Sequence, residues 1–222
     1  YMPYDCACDA INNTKSYSSK YKLLSGDWKF RYFTSVYDVK EEFFAEGYDT
    51  SVFETIPVPS VWQNYGHDHH QYTNVRYPFP VDPPYVPYEN PCGAYVRTFE
   101  WKKQEEAPRA FLNFEGVDSC FYVWMNGSFV GYSQVSHSTS EFDVTDFLKD
   151  GTNTIAVLVL KWCDGSYLED QDKFRMSGIF RDVYLLNRPE NGIQDYFVKA
   201  IPSEDYQDGT ITIDFTYRKE PV

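Results

Sequence analysis

Short alternating stretches separated by turn residues constrain this chain more than any other feature. Apolar and polar residues alternate along them, as in strands joined by tight turns. The clearest turn is Asn126-Gly127, a pair that favours a type I′ hairpin. The predicted strands cover residues 28–33, 53–58, 94–101, 109–114, 121–125, 129–133, 141–144, 154–162 and 183–187.

Many strands and almost no helix predict an all-β chain built as a jelly-roll β-sandwich. The unbroken apolar run at 155–160 predicts a central strand covered on both faces. In 109–114, alternation predicts that Ala110 and Leu112 face the core, while Phe111 and Asn113 face a wetter surface. A short helix is expected around 39–45. Residues 59–92 form a long loop, and such loops inside compact domains are usually functional or disordered; its aromatic content disfavours disorder.

The chain divides into three parts. Residues 1–20 are a polar arm without periodicity, and residues 21–188 form the sandwich. Turn residues then lead to two more alternating strands, at 195–201 and 210–217. Two strands cannot form a stable domain alone. We therefore expect residues 189–222 to be the incomplete beginning of a second β domain.

Charge and cysteine content exclude several classes of function. The net charge is −13, whereas binding to nucleic acid or to an anionic membrane needs a basic face. We find no apolar run as long as a membrane span and expect no signal peptide. The five cysteines are odd in number and contain no CxxC pair, which disfavours a disulfide framework or a zinc site. We therefore expect reduced thiols in a cytoplasmic protein.

Two segments contain the residues that suggest a site. The first, 161–183, follows the buried strand and carries four carboxylates within nine residues. Such a cluster suits a polar ligand, a cation or an interface of fixed geometry. The second segment, 71–80, lies far away in sequence, and we predict that the two combine into one site. An ion-pair network that stiffens the loop is the favoured role for Glu169, Asp170, Asp172, Arg175 and Arg181.

Several conspicuous residues have simpler interpretations. Asp164-Gly165 is also an ordinary turn, and an Asn at position 74 most often caps or turns the backbone. The rings of Trp62, Trp124 and Trp162 are expected in the core or at an interface. Metal binding by the loop histidines is disfavoured, because adjacent side chains on a loop diverge. Those histidines are His67, His69 and His70.

A set of motifs in fixed order covers about three quarters of the chain. They are LSGDWKF at 24–30, VPSVWQ at 58–63, YTNVRYP at 72–78, DPPYVP at 82–87, ENPCG at 89–93, VWMNG at 123–127, SEFD at 140–143 and the block at 164–183. In these motifs the chain resembles the N-terminal sugar-binding jelly roll, a galactose-binding-domain-like fold, of family 2 glycoside hydrolases, and within them the large bacterial β-galactosidases. Residues 189–222 are similar to the start of the family's next, immunoglobulin-like domain.

The resemblance implies retaining hydrolysis by two glutamates on a (β/α)₈ barrel. Neither the barrel nor the glutamate motifs occur in this chain, so we assign no catalytic residue and expect the chain alone to be inactive. The resemblance implies that Asn74 and Asp164 contact the galactosyl unit or its surroundings, and that Tyr72 and Val75 flank the same edge. It also implies that Asp164 helps to hold a sodium ion.

Further implications concern the complete enzyme. It is expected to need sodium and magnesium, with no cofactor for this chain alone, and to form a homo-oligomer. The partners are then a galactoside and the barrel domain of the same protein. Three functions stay open: part of a β-galactosidase acting on terminal β-D-galactosides such as lactose, a stand-alone carbohydrate-binding module, or a β-glucuronidase or β-mannosidase relative. The segments at 72–80 and 164–172 favour the first.

Overall fold

The computed structural model describes residues 1–169 and 172–218, and strands dominate it. The strands are β1 (Tyr21–Leu23), β2 (Gly26–Phe33), β3 (Glu54–Val58), β4 (Tyr72–Thr73), β5 (Cys92–Trp101), β6 (Arg109–Phe114), β7 (Val117–Asp118), β8 (Cys120–Met125), β9 (Ser128–Ser133), β10 (Ser140–Asp143), β11 (Gly151–Leu160), β12 (Lys173–Phe174), β13 (Gly178–Ile179), β14 (Val183–Arg188), β15 (Ile193–Pro202) and β16 (Gly209–Tyr217). One α-helix, α1, spans Ala7–Asn12. Single 3₁₀ turns lie at Lys15–Tyr17, Val36–Asp38, Trp62–Tyr65, Thr145–Phe147 and Asp164–Tyr167.

Two antiparallel sheets form the sandwich. One has four strands in the order β1-β14-β6-β10, and the other has six in the order β3-β2-β5-β11-β8-β9. Apolar side chains from both sheets share one buried core, in which Leu112 and Leu185 of the first sheet join Val123 and Val157 of the second. The all-β, jelly-roll prediction is confirmed.

Strand β11 is the centre of the larger sheet. It pairs with β5 on one side and with β8 on the other. Ile155, Val157 and Val159 enter the main core, while Ala156 and Leu158 enter a second cluster on the opposite face of the sheet. The prediction of a central strand that is covered on both faces is confirmed.

The second cluster explains why the helix expected around 39–45 is wrong. The segment contains only the 3₁₀ turn Val36–Asp38, and then runs irregularly across the outer face of the sheet. There Phe43 is buried with Ala156 and Leu158. The apolar residues that suggested a helix cover the sheet instead.

The prediction of a wetter face on β6 is also wrong. Phe111 and Asn113 are 5% and 3% exposed, as buried as the core-facing residues. The guanidinium groups of Arg188 and Arg218 lie 4.5 and 4.8 Å from the Phe111 ring centroid and cover it. Asn113 is satisfied internally, because its Nδ2 donates to the Phe111 carbonyl at 3.2 Å.

The Asn126-Gly127 turn joins β8 to β9 as predicted. Both residues have positive φ, at 50° and 80°, which is the left-handed conformation that a type I′ turn requires. The Asn126 side chain fixes the turn further, since it accepts from the Thr154 N–H at 2.9 Å and donates to the Phe147 carbonyl at 2.9 Å.

The arm contains α1, and the prediction that all thiols are reduced is wrong. Cys6 and Cys8 form a disulfide at the start of α1. The sequence rule failed because an odd cysteine count does not prevent a local pair two residues apart. Cys92, Cys120 and Cys163 are free and buried. Across 1–169 and 172–218, none of the helices has the length and apolar character needed to cross a bilayer.

Strands β15 and β16 form their own two-stranded sheet. On one face Tyr196 pairs with Phe215 and Val198 pairs with Ile213, and all four side chains are exposed. This hairpin therefore presents an apolar face outside the sandwich. That residues 189–222 begin an incomplete second domain stays a prediction.

Candidate functional site

The two segments singled out in the sequence lie against each other. Strand β4 pairs with β12, so that Tyr72 faces Phe174 and Thr73 faces Lys173. Next to this pair, the Arg175 N–H donates to the Gln71 carbonyl at 2.6 Å, and Arg175 Nε donates to Thr73 Oγ1 at 3.1 Å. The two segments meet, as predicted; that they form one site stays a prediction.

Tyr167, in the segment that follows β11, fixes the second half of the 59–92 loop. The Tyr167 hydroxyl donates to the Tyr85 carbonyl at 2.6 Å and accepts from the Asp82 N–H at 3.0 Å. Phe79 is buried between Trp162 and Tyr167, with ring centroids 5.1 and 5.2 Å away. The loop is therefore held by ring packing and backbone hydrogen bonds.

Asp164 begins the 3₁₀ turn that comes next in the chain after β11, and its side chain is exposed. Its Oδ1 accepts from the Gly165 N–H at 2.9 Å. The turn is anchored from below: Ser166 Oγ accepts from the Cys163 N–H at 3.1 Å and lies 3.2 Å from Ser119 Oγ. A carboxylate on such a support can accept hydrogen bonds from a ligand's hydroxyls without reordering the backbone.

Asn74 follows β4, and it is also exposed. Its Oδ1 accepts from the Val75 N–H at 2.7 Å, which shows the backbone-turning role that Asn often has. Val75 is 83% exposed. The contacts of the described residues include none that joins Asn74 directly to Asp164. A sugar role for these residues stays a prediction.

Tyr72 crosses the β4–β12 pair. Its hydroxyl donates to Asp172 Oδ1, and this hydrogen bond raises the pKa of Tyr72. Its ring packs against Phe174 with centroids 5.5 Å apart. Tyr72 therefore holds the two segments together.

Among the described residues, the charged cluster of 169–181 also contacts groups outside the cluster. Glu169 Oε1 accepts from Ser136 Oγ at 2.7 Å, and Arg181 Nη1 donates to the His137 carbonyl at 3.0 Å. Lys173, which was not in the predicted network, lies 3.9 Å from Glu169. Asp170 lies outside the described residues.

A buried ion pair next to the site was missed in the sequence. Lys161 Nζ lies 2.5 Å from Asp68 Oδ2, and the two side chains are only 3% and 6% exposed. Gln63 Nε2 also donates to Asp68 at 3.3 Å. This pair fixes the loop to the end of β11. In the stretch 67–70, Asp68 is therefore the residue that anchors the loop, and it lies between His67 and His69.

The histidines themselves contact different carboxylates. His67 Nε2 lies 2.6 Å from Glu54, and His69 Nδ1 lies 3.0 Å from Asp68. Of the predicted core or interface rings, Trp62 and Trp162 are buried, and Trp124 stacks on Phe44 with ring centroids 4.7 Å apart.

A second buried carboxylate, Asp118 of β7, was also missed. Burial raises the pKa of Asp118 to about 6, although the Lys173 ammonium 3.4 Å away acts in the opposite direction. The residue thus ties β7 to the segment that contains β12. Its signal in the sequence is weak, since Asp118 and Lys173 are 55 residues apart.

Two thiols lie beneath the Asp164 turn. Their mutual hydrogen bond lowers the pKa of Cys163 to about 6 and raises that of Cys120 above its ordinary range. Ser119 Oγ lies 3.4 Å from Cys163 Sγ. The turn therefore rests on a buried network of hydroxyls and thiols.

A cation at Asp164 would need further ligands. The exposed carboxylate fits a hard cation, which prefers several oxygen ligands. In 1–169 and 172–218, however, the one group of three His, Cys, Asp or Glu side chains close enough to share an ion is Cys6, Cys8 and Asp9, and its sulfurs are in the disulfide. Asp164 belongs to no such group, so sodium bound at Asp164 would need other oxygen ligands.

The family of the chain follows from its match to a family model. The family model described as "Glycosyl hydrolases family 2, sugar binding domain" matches residues 21–189. The chain belongs to family 2 of the glycosyl hydrolases and contains its sugar-binding domain.

Among sequence relatives, the chain is 49% identical over 221 residues to a protein named β-galactosidase from Actinobacillus pleuropneumoniae; the match covers 100% of this chain and 21% of that protein. It is 47% identical to a β-galactosidase from Staphylococcus xylosus, over 96% of this chain and 21% of the other. The chain thus spans about a fifth of the length of these curated relatives.

Solved structures support the fold. A β-glucuronidase of an uncultured Clostridium species superposes with a TM-score of 0.67 at 22% identity, covering 90% of this chain and 34% of that one. A β-glycosidase from Bacteroides vulgatus gives 0.66 at 22% identity, covering 91% and 25%. At this identity the likeness concerns the fold alone.

The Lys161–Asp68 pair yields a stability prediction. Lys161→Met should lower the free energy of unfolding by about 3–5 kcal/mol, because it leaves the Asp68 carboxylate buried without its cation. Urea unfolding of the purified chain measures this. The double variant Lys161→Met/Asp68→Asn should recover much of the loss; equal losses in the single and double variants would contradict the assignment.

Asp118 yields a pH prediction. Because burial raises its folded-state pKa to about 6, above the ordinary 3.8, the fold holds this proton more tightly than the unfolded chain does. The resulting stability is complete below about pH 3.8 and is lost as pH rises through 6. The unfolding free energy of Asp118→Asn, relative to wild type, should therefore increase from pH 4 to 7. Lys173→Met should enlarge the loss of unfolding free energy, because removing the ammonium raises the folded-state pKa of Asp118 further. A constant Asp118→Asn difference over this range would refute the assignment.

Proposed function

We propose that this chain is the sugar-binding portion of a β-galactosidase, which hydrolyses terminal non-reducing β-D-galactosides such as lactose with retention. The observation that carries the proposal is the pairing of β4 with β12, which brings together the two segments that contain Asn74 and Asp164. The names of relatives at 47–49% identity support the choice of galactoside.

The proposed roles follow from side-chain chemistry. The Asn74 amide offers both a donor and an acceptor to sugar hydroxyls, and the Asp164 carboxylate accepts from hydroxyls. Both side chains are exposed on locally hydrogen-bonded turns. Tyr72 and Val75 flank this edge and restrict the approach of a ligand to it. When sodium is bound, Asp164 is the residue of this chain that would hold it.

This edge is a single wall and leaves most of a monosaccharide in contact with water. Small-molecule sites usually bury most of their ligand. We therefore infer that the barrel domain of the full protein supplies the two catalytic glutamates and the rest of the pocket, and that this chain alone is inactive. A magnesium requirement, homo-oligomerisation and a cytoplasmic location belong to the same proposal for the complete enzyme.

A stand-alone carbohydrate-binding module is the second candidate, because the matched domain is itself described as sugar binding. The β-glucuronidases among the solved structures do not favour a glucuronide, since their identity to this chain is 16–22% in the cases compared. A relative of other specificity is therefore the weaker alternative.

Substitution of Asp164 tests the role in the complete enzyme. Asp164→Ala should raise KM and lower kcat together, because it removes charge-assisted hydrogen bonds worth about 1.5–3 kcal/mol, or roughly tenfold to hundredfold in kcat/KM. Asp49→Ala is a matched control: Asp49 is also exposed and accepts from a nearby N–H, that of Ser51 at 2.9 Å. Wild-type kinetics in Asp164→Ala would refute the role.

A galactose titration of the 222-residue chain distinguishes the two candidates. Chemical shifts would be followed by NMR in the wild type and in Asp164→Ala. We expect no saturable binding up to high millimolar galactose, because one wall of a pocket buries too little of the sugar. Saturable binding that disappears in Asp164→Ala would favour the stand-alone module.

A further inference from the structure

The cysteine pair of the arm and a neighbouring carboxylate bring three metal-ligating groups together. One ligand atom from each of Cys6, Cys8 and Asp9 lies within 4.8 Å of the other two. Asp9 Oδ2 lies 3.2 Å from Cys6 Sγ, and the same sulfur accepts from the Asp9 N–H at 3.4 Å. The carboxylate therefore already lies beside the cysteine pair.

The spacing of these atoms fits a tetrahedral ion. A zinc–sulfur distance of about 2.3 Å and a zinc–oxygen distance of about 2.1 Å place the two ligand atoms about 3.6 Å apart. The separation of 3.2 Å between Cys6 Sγ and Asp9 Oδ2 is close to this value. The Cα atoms of Cys6 and Cys8 are 5.4 Å apart. Both side chains can therefore reach one ion once their sulfurs are no longer bonded to each other.

The chain just before Cys6 is held in place by groups that are not ligands. Asp5 Oδ2 accepts from the Ser19 N–H at 2.8 Å, and Asp5 Oδ1 accepts from Ser19 Oγ at 2.9 Å. The Asp5 carboxylate also pairs with Lys20. Because these contacts fix the arm next to the start of β1, the three ligand side chains are collected before any ion binds.

We propose that Cys6, Cys8 and Asp9 are a redox-gated site for a thiophilic divalent cation such as Zn²⁺, which reduction of the disulfide opens and oxidation closes. Two thiolates and a carboxylate supply three ligands, and a water molecule completes the tetrahedron. Thiolates select such ions over hard cations, which prefer oxygen. The site thus differs in chemistry from the sodium role proposed for Asp164.

The gating reaction balances with a dithiol as the reductant. One thiolate of the dithiol attacks the exposed Cys8 sulfur; the bond between the two cysteines breaks, and Cys6 leaves as a thiolate. The second thiolate of the dithiol attacks its partner in the mixed disulfide and releases Cys8. The dithiol is thereby oxidised and both cysteines are reduced. An ion then binds the two sulfurs and releases any protons they carry. The reverse exchange with an oxidised dithiol expels the ion.

A titration of the 222-residue chain with Co²⁺, a spectroscopic substitute for Zn²⁺, tests the site. One sample is reduced with dithiothreitol and desalted without oxygen, and an oxidised sample is titrated beside it. Thiolate ligands are followed by their sulfur-to-cobalt charge-transfer absorption. Zn²⁺ is then added as a competitor, and no sugar is present at any stage.

We expect one Co²⁺ per reduced chain, with a charge-transfer band that Zn²⁺ abolishes, and no band in the oxidised chain. Cys6→Ser and Cys8→Ser should each lose the band, because each removes a sulfur ligand. Cys92→Ser should keep it, because Cys92 is a buried thiol outside the site.

The carboxylate is tested separately. Asp9→Asn should weaken Co²⁺ binding by at least about tenfold, since even groups that only orient metal ligands are worth that much. Asp5→Asn is the matched control: it removes the same charge nearby, but from a carboxylate that Ser19 and Lys20 already engage. Its affinity for Co²⁺ should stay close to that of the wild type.

Three results would overturn the site: no band in the reduced chain, the same band in both redox forms, or a band that keeps its full intensity in Cys8→Ser. Equal affinities of Asp9→Asn and Asp5→Asn would overturn the role of Asp9 as a ligand. Because the titration contains no sugar, each of these failures leaves the galactosidase proposal to its own tests.

Discussion

The burial of β11 on both faces is the constraint on which the rest of the structure depends. Side chains on one face enter the core between the sheets, and those on the other enter a cluster with Phe43 and Phe53. A strand fixed in this way has a defined end, and Lys161 to Asp164 follow directly from it. The position of the exposed Asp164 carboxylate is therefore set by apolar packing several residues earlier, and the charged pair of Lys161 and Asp68 transmits the same order to the long loop.

The site combines exposed polar groups with buried charged ones, and the two have different tasks. Asn74 and Asp164 lie at the surface, where they can exchange water for the hydroxyls of a ligand at little cost. Asp68 and Asp118 lie inside, where an unpaired charge is expensive and each has a lysine partner. The buried pairs cost desolvation free energy, but they keep two long, irregular segments in one arrangement.

Local structure was readable in the sequence, whereas individual side-chain pairs between distant residues were not. Alternation and the Asn126-Gly127 turn located the strands, since both depend on neighbours along the chain. The meeting of 71–80 with 161–183 was predicted from unusual composition. No local signal marks the partnership of Asp68 with Lys161, which are 93 residues apart, or the guanidinium cover that buries Phe111. The helix expected around 39–45 failed for the same reason, because the sheet's outer face selects the conformation of that segment.

The β4–β12 pair has only two residues in each strand, and isolated two-stranded ladders are marginal in water. Its order depends on anchors such as the Tyr72–Asp172 bond and the contacts of Arg175. Such an edge can open locally at a free energy far below that of global unfolding. The β4–β12 edge is thus energetically separable from the sandwich: it can open locally, and change in sequence, while the β11 core stays folded.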